Sequence, residues 1–153
     1  MKRLSLNKEL IEERLIFIEQ SLGSLERFSS QSLKDFQKDF DNFRISYYDL
    51  YTALEAVLDI GSHILSRIPG NKPKSYKDIP QLLAKNKILP EKFAEEKLVQ
   101  MAGYRNRMTH FYHRIESGEI YEIIKLHLED FTEFTRFIKN ILKNPKKIGF
   151  PDE

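Results

Sequence analysis

The sequence of 153 residues contains no cysteine and no tryptophan, and only six glycines and six prolines. Without cysteine the protein can form no disulfide, carries no thiol nucleophile and cannot build a Cys-rich zinc or iron–sulfur site. No apolar run approaches the ~18 residues that would span a bilayer. The opening stretch, MKRLSLNKELIEERL, gains acidic residues before an apolar run of signal-peptide length can develop. We therefore expect a cytoplasmic protein with no membrane association.

Signatures of several enzyme classes are also missing. There is no Gly-rich phosphate loop, no nucleophile elbow, and no kinase or nucleotidyltransferase signature. The four histidines include no HExxH arrangement, and the pairs that could be considered for a metal, His110 with His113 and His63 with Asp59, are weak candidates. We expect neither a metal site nor a cofactor.

Charge of either sign is not in excess, since the formal net charge is only +2. A protein whose whole surface binds nucleic acid would be far more basic. Any site for a polyanion must therefore be local. The basic candidates are the loop 66–77, the tail 143–147 and the segment 102–115.

What the sequence does contain is apolar spacing of three and four residues, which predicts amphipathic helices. The predicted helices cover 6–25, 33–68, 76–86, a stretch that begins at Pro90, and 119–142. The second is the longest, at roughly 50 Å. No segment alternates with period two over more than a few residues. We predict an all-α fold: an antiparallel bundle of about five helices, forming a single domain over 1–153 with a basic tail from about 143 to 153.

The segment AGYRNRMTHFYHRI, residues 102–115, concentrates three arginines, two histidines, two tyrosines and an asparagine. Arg105 lies in an otherwise apolar helical stripe, where a guanidinium is costly unless it is paired. One interpretation is structural, with Arg105 paired to Glu55 or Asp59 on the second helix; the other is a site for an anionic ligand. On a continuous helix His110 would be rotated about 140° from Arg105. Either the helix ends near His110 or two chains together assemble one site.

Residues 105–112, RNRMTHFY, resemble the R-x4-H-x-Y signature of HepT-like toxins, which belong to the HEPN superfamily of helical ribonucleases. Residues 53–65 are similar to the long second helix of that family, and residues 120–141 to its last helix. The resemblance implies the toxin of a type VII-like toxin–antitoxin system. Its activity would be that of a metal-independent endoribonuclease that cleaves RNA by attack of a 2′-hydroxyl.

The same resemblance implies roles for individual residues. His110 would be the general acid–base and Arg105 the clamp on the transition state, which suits a group that titrates near neutrality and a planar cation. Asn106 would orient the phosphate or the histidine. Tyr112 would receive AMP from MntA, a minimal nucleotidyltransferase that serves as antitoxin. The alternative for Tyr112 is a core or interface tyrosine with a hydrogen-bonded hydroxyl.

Further residues and partners complete these expectations. Arg107, His113 and Arg114 are candidates to extend a phosphate-binding surface, and Glu55 and Asp59 are candidate supporting carboxylates. By the resemblance, the partners are an RNA substrate and an MntA-like antitoxin. A homodimer would carry the motif in its cleft, with a higher hetero-oligomer formed with the antitoxin. The alternative function is a non-catalytic helical partner, or nucleotide-binding subunit, of a nucleotidyltransferase.

Overall fold

The computed structural model describes residues 2–152. Over these residues the chain is helical, with no β-strand. The α-helices are α1 (Lys8–Glu26), α2 (Leu33–Lys38), α3 (Phe40–Ser66), α4 (Asp78–Lys85), α5 (Glu91–Phe93), α6 (Val99–His110), α7 (Ser117–Leu126) and α8 (Leu128–Lys143). A π-helical segment (Ala94–Leu98) joins α5 to α6, and 3-10 helices cover Tyr112–Arg114 and Pro145–Ile148. The prediction of an all-α fold is confirmed.

Two of the predicted helices are each divided in two. The predicted helix 33–68 is interrupted at Asp39, whose backbone is extended and whose carboxylate accepts the amide of Asp41 at 2.9 Å. This contact caps the start of α3, because a short acidic side chain can bond to its own local backbone instead of the helix ladder. The predicted helix 119–142 is interrupted at His127. At 27 residues, or about 40 Å, α3 remains the longest helix.

The first and third helices run antiparallel along most of their length. Ser24 near the end of α1 donates to Asp49 in the first half of α3, at 2.5 Å. Ten residues earlier in α1, Arg14 pairs with Asp59 at 3.4 Å, ten residues later in α3. Contacts that step backwards in one helix as they step forwards in the other define opposite directions. This confirms the predicted antiparallel arrangement for the pair that forms the centre of the bundle.

The hydrophobic core includes residues from both ends of the described chain. Phe150 is fully buried, and Arg3 covers its ring at 5.1 Å while donating to the carbonyl of Ile148. Lys146 is paired with Asp152 at 2.7 Å. The tail that was expected to be a basic extension is therefore folded against the bundle. None of the helices within residues 2–152 is long and apolar enough to cross a membrane.

The loop between α3 and α4 is held in place by side-chain contacts at both of its ends. Asn86, which follows α4, donates to the side chain of Asn71 at 2.9 Å. Asp78, the first residue of α4, accepts the amides of Lys74 at 2.9 Å and Ser75 at 3.2 Å. Because these three hydrogen bonds fix the loop, its end has a defined path next to α6.

Candidate active site

Helix α6 ends at His110, in the middle of the basic and aromatic segment singled out in the sequence. Phe111 leaves the helical conformation, with φ −128° and ψ 34°, although its amide still donates to the carbonyl of Arg107 at 2.8 Å. A 3-10 helix, Tyr112–Arg114, follows directly. The helix thus ends near His110, but Arg105 and His110 both belong to α6, so the separation of about 140° between them remains, and a site assembled from two chains stays a prediction.

Two tyrosines of α3 fix the last turn of α6. The hydroxyl of Tyr47 donates to the carbonyl of Met108, and the hydroxyl of Tyr51 lies 3.0 Å from Thr109 Oγ1. The last carbonyls of a helix have no partner within it, so a donor from another element satisfies one of them here. These contacts position the turn that carries His110. The sequence did not identify either tyrosine, since both lie at ordinary apolar positions of α3.

Arg105 is held by three different parts of the fold. Its Nε donates to Glu55 on α3, and its Nη1 donates to Asn106 Oδ1 at 3.2 Å. The ring of Tyr76, at the end of the α3–α4 loop, lies 4.2 Å from the guanidinium carbon. Burial opposes the charge, but the hydrogen bond and charge of Glu55 outweigh it and raise the pKa of Arg105. The predicted pairing of Arg105 with Glu55 is thus present.

The second candidate carboxylate, Asp59, has a different partner. It lies one turn beyond Glu55 on α3 and pairs with Arg14 of α1 at 3.4 Å. Burial raises the pKa of Asp59, an effect that the charge of Arg14 partly offsets. Asp59 therefore joins α1 to α3, while Glu55 is the carboxylate that contacts Arg105.

A surface cleft brings the motif residues together. It has a volume of ≈ 580 Å³, and its walls come from the end of the α3–α4 loop on one side and from α6 with the residue after it on the other. The lining residues are Ser75, Tyr76, Lys77, Arg105, Asn106, His110 and Phe111. His110 is exposed there. A partly buried cation and an exposed imidazole at one cleft are the groups that bind a phosphate and move a proton.

Four lining residues, Ser75, Tyr76, Lys77 and Phe111, were not among the predicted site residues. Phe111 is exposed although it is aromatic, and Lys77 belongs to the basic loop 66–77 that the sequence offered as a polyanion site. Tyr76 lies in the same loop, far from Arg105 along the chain. The basic composition of the loop was the only sequence signal for it, because no periodicity relates a loop residue to a helix.

Tyr112 lies outside the core. Its side chain is among the most exposed of the large hydrophobic residues, at 65%, so it is not a core tyrosine, while the alternative of an interface tyrosine stays a prediction. It begins the 3-10 helix, where its ring meets that of His113 edge-on at 5.8 Å. Arg114 closes the same turn and lies 5.7 Å from the centre of the Phe111 ring. The three residues form an exposed turn directly after the cleft.

Arg107 has a protein partner on the opposite side of α6. It donates to Glu119 at 2.7 Å and lies over the ring of Tyr104 at 5.4 Å. Glu119 also accepts the amide of Glu116 and so completes the capping box at the start of α7. The hydrogen bond from Arg107 lowers the pKa of Glu119. Arg107 thus joins α6 to α7, and a role in binding phosphate stays a prediction.

The histidine pairs considered for a metal have other environments. His63 Nε2 accepts the backbone amide of Asn7 at 3.0 Å, which requires the neutral ring, while Asp59 is paired elsewhere. Burial lowers the pKa of His63, and the nearby charge of Arg67 lowers it further. Within residues 2–152 no group of three or more His, Asp or Glu side chains is arranged to hold a metal ion.

Comparison with known proteins places these features in a family. The family model described as Ribonuclease HepT-like matches residues 18–138. The tRNA nuclease HepT of Aphanizomenon flos-aquae is 29% identical over 133 residues, which is 87% of this chain and 90% of that protein. The mRNA nuclease HepT of Shewanella oneidensis is 31% identical over 104 residues, which is 68% of this chain and 77% of that protein.

A solved structure with a similar fold is that of the tri-AMPylated Shewanella oneidensis HEPN toxin in complex with MNT antitoxin. It superposes with a TM-score of 0.76 and 26% sequence identity, and the similarity covers 86% of this chain and 97% of that chain. The match therefore extends over nearly all of that toxin subunit.

Proposed function

Because this chain belongs to the HepT-like ribonuclease family, we propose that it is a toxin that cleaves RNA at the cleft between α6 and the α3–α4 loop. The observation that carries the proposal is the convergence of Arg105, Asn106 and His110 on one cleft. Arg105 and His110 both lie within the continuous helix α6, so their side chains are rotated about 140° from each other around its axis. In the proposed dimer, a second copy of the motif at the cleft would bring an arginine and a histidine to the same phosphate.

The reaction proposed is an internal transfer that uses no metal ion. The proton of a ribose 2′-hydroxyl is removed, the 2′-oxygen bonds to the adjacent phosphorus, and the bond from phosphorus to the 5′-oxygen breaks. The departing 5′-oxygen takes up a proton, so that the products carry a 2′,3′-cyclic phosphate and a 5′-hydroxyl. His110 serves as general acid–base because imidazole can hold or release a proton near neutral pH.

Arg105 would stabilise the phosphorane that forms between these steps. An arginine carries five N–H donors in a flat fork. Glu55 takes the Nε hydrogen and Asn106 takes one on Nη1, while the Nη2 hydrogens have no protein acceptor within residues 2–152. The charge developing on the phosphorane oxygens would bind these remaining donors. Asn106 acts in this scheme by orienting Arg105, with its amide nitrogen still available to the phosphate.

Tyr112 is proposed as the residue through which the toxin is silenced. Its exposure makes its hydroxyl accessible to a second protein. Transfer of AMP joins the tyrosine oxygen to the α-phosphorus of ATP and releases pyrophosphate. The added phosphate would then repel RNA and attract the cations at the cleft. An MntA-like nucleotidyltransferase antitoxin is the proposed partner, in keeping with the AMPylated toxin and MNT antitoxin of the Shewanella oneidensis complex.

A homodimer is the proposed assembly, with higher hetero-oligomers forming when the antitoxin binds. In it the exposed turn of Tyr112 to Arg114 and the mouth of the cleft would lie near the partner copy. His113 and Arg114 would add charge along the path of the RNA backbone. Asp59 would support the site indirectly, by holding α3 against α1 next to Glu55.

A second function is favoured by one observation. Arg105 is paired with Glu55. An arginine held in such a pair could have a purely structural role, in a nucleotide-binding subunit of a nucleotidyltransferase. The two functions differ in what removal of the charge does. A purely structural arginine matters for folding, whereas a clamp on the phosphorane matters for the reaction even when the fold is intact.

Expression of variants in cells, together with far-UV circular dichroism, distinguishes these functions. We expect Arg105→Ala and His110→Ala to relieve growth inhibition and to leave helicity unchanged. Arg136→Ala, an exposed arginine on α8, is the matched control and should inhibit growth like the parent protein. Loss of helicity in Arg105→Ala with normal growth inhibition by His110→Ala would support the subunit function instead.

A further inference from the structure

The loop between α3 and α4 contributes an aromatic ring to the cleft, and this ring contacts the arginine of the motif directly. Tyr76 lies two residues before α4, where Asp78 fixes the backbone by accepting the amides of Lys74 and Ser75. The ring is half-buried and packs against the hydrophobic core. Its face lies 4.2 Å from the guanidinium carbon of Arg105, well within the ~6 Å over which a cation and a ring attract each other.

We propose that Tyr76 is a positioning residue for RNA cleavage, holding the guanidinium of Arg105 in the orientation that presents its remaining N–H groups to the scissile phosphate. The inference rests on the proposed function. It adds a role for a loop residue that lies outside the R-x4-H-x-Y motif.

The geometry favours this role because the three contacts of Arg105 restrain it differently. Glu55 binds at Nε and Asn106 at Nη1, and both act in the plane of the guanidinium. Neither prevents the flat group from tilting about the line that joins these two contacts. A ring stacked on one face restrains that tilt, and it uses none of the in-plane N–H donors that a phosphate needs.

The energetic balance makes such a restraint relevant. Glu55 already compensates the charge of Arg105. A phosphate would therefore be bound mainly by directed hydrogen bonds from the guanidinium, and less by net electrostatic attraction. Directed bonds depend on orientation, and a displacement of about 1 Å at a reacting centre can reduce a rate ~100-fold. Loss of the ring should therefore reduce the rate of the chemical step more than it weakens RNA binding.

The test compares Tyr76→Phe and Tyr76→Leu with the parent protein in steady-state cleavage of an RNA oligonucleotide. Tyr76→Phe keeps the ring, so kcat should stay within about threefold of the parent value. Tyr76→Leu keeps apolar volume but has no ring face, so kcat should fall roughly 10- to 100-fold while KM changes little. Tyr48→Leu, which removes an exposed tyrosine of α3, is the matched control and should leave kcat unchanged.

A coupling experiment separates positioning of Arg105 from general damage to the fold. In an Arg105→Lys background the compact ammonium has no flat face for the ring to restrain. Tyr76→Leu should therefore lower kcat little beyond the reduction that the lysine itself causes. An equal loss of kcat in the parent and lysine backgrounds would overturn the inference. So would a parent-like kcat in Tyr76→Leu.

An activity-independent measurement keeps this inference distinct from the proposed function. In ¹H–¹⁵N NMR spectra the Arg105 Nε–H proton should be shifted upfield by the Tyr76 ring, in the parent protein and in Tyr76→Phe, but not in Tyr76→Leu. This shift without any RNA cleavage would overturn the ribonuclease proposal, and with it the catalytic role of the stack. Cleavage with no ring-dependent shift would overturn the positioning role alone.

Discussion

At the scale of single residues, the site depends on Arg105, whose charge must be compensated within the protein while some of its N–H donors remain free for a phosphate. A guanidinium with only 17% of its side chain exposed needs partners, and Glu55 supplies the charge that compensates it. A clamp on a phosphorane needs free donors, and these remain because Glu55 occupies only Nε and Asn106 only one hydrogen of Nη1. The structural and functional interpretations of Arg105 are therefore compatible in one geometry.

Replacement of Tyr112 tests the proposed silencing reaction. Tyr112→Phe removes the oxygen that would accept AMP, while the exposed ring is retained, so the variant should cleave RNA and should resist an MntA-like antitoxin supplied with ATP. Intact-protein mass spectrometry and growth in the presence of the antitoxin measure the two effects. Tyr48→Phe, another exposed tyrosine, should still be silenced. If Tyr112→Phe is silenced normally and carries AMP on another residue, Tyr112 does not have this role.

Residue-level prediction from the sequence succeeded where local rules apply. The cost of an unpaired guanidinium predicted a carboxylate partner on the second helix, and Glu55 is that partner. The choice between Glu55 and Asp59 could not be made, because it depends on Arg14 from a third segment of the chain. Tyr76 was not predicted, since a loop residue reaches α6 through tertiary packing and not through spacing.

At the scale of helices, the ends matter more than the lengths. The sequence predicted where apolar faces lie, but the same three- and four-residue spacing continues across Asp39 and His127, where the helices break. A cap formed by a single carboxylate leaves no trace in periodicity. The end of α6 was recognised only as an alternative, because it is fixed by hydroxyl groups of Tyr47 and Tyr51 on another helix.

The contact between the start of α1 and the end of α3 should make stability depend on pH. His63 is neutral when it accepts the amide of Asn7, and its pKa is lowered from the ordinary value of 6.5 in the folded protein. As the pH falls below 6.5, the unfolded chain takes up a proton at this position before the folded chain does. The free energy of unfolding contributed by His63 is thus present above 6.5 and decreases down to the lowered pKa.

Urea denaturation at about pH 8 and about pH 5 measures this effect. His63→Gln is the informative variant, because its side-chain oxygen can still accept the Asn7 amide hydrogen but does not titrate. We expect the parent protein to lose more stability than His63→Gln between the two values of pH. Equal losses would show that protonation of His63 is not coupled to folding.

At the scale of the whole molecule, an all-α bundle could be predicted because five apolar stretches with helical spacing admit no other class of fold. The HepT-like resemblance, which added the ribonuclease activity, is confirmed by the family match to residues 18–138. The course of the tail was not predicted from its lysines. Phe150 is fully buried, so its ring holds the tail against the rest of the chain.

Dimer formation is a prediction at this scale. Sedimentation equilibrium at micromolar concentration should give twice the 18.2 kDa mass of one chain, because the proposed assembly brings two copies of the motif together at one cleft. A single-chain mass throughout the micromolar range would contradict a site shared between two copies.

The central claim is that His110 carries out RNA cleavage without a metal ion. The most direct measurement is digestion of RNA by purified protein in excess EDTA, beside His110→Ala, with the new ends analysed for cyclic phosphate. We predict cleavage by the parent protein only, giving 2′,3′-cyclic phosphate and 5′-hydroxyl ends. Absence of cleavage by parent protein that is free of antitoxin and of AMP on Tyr112, or undiminished cleavage by His110→Ala, would contradict it.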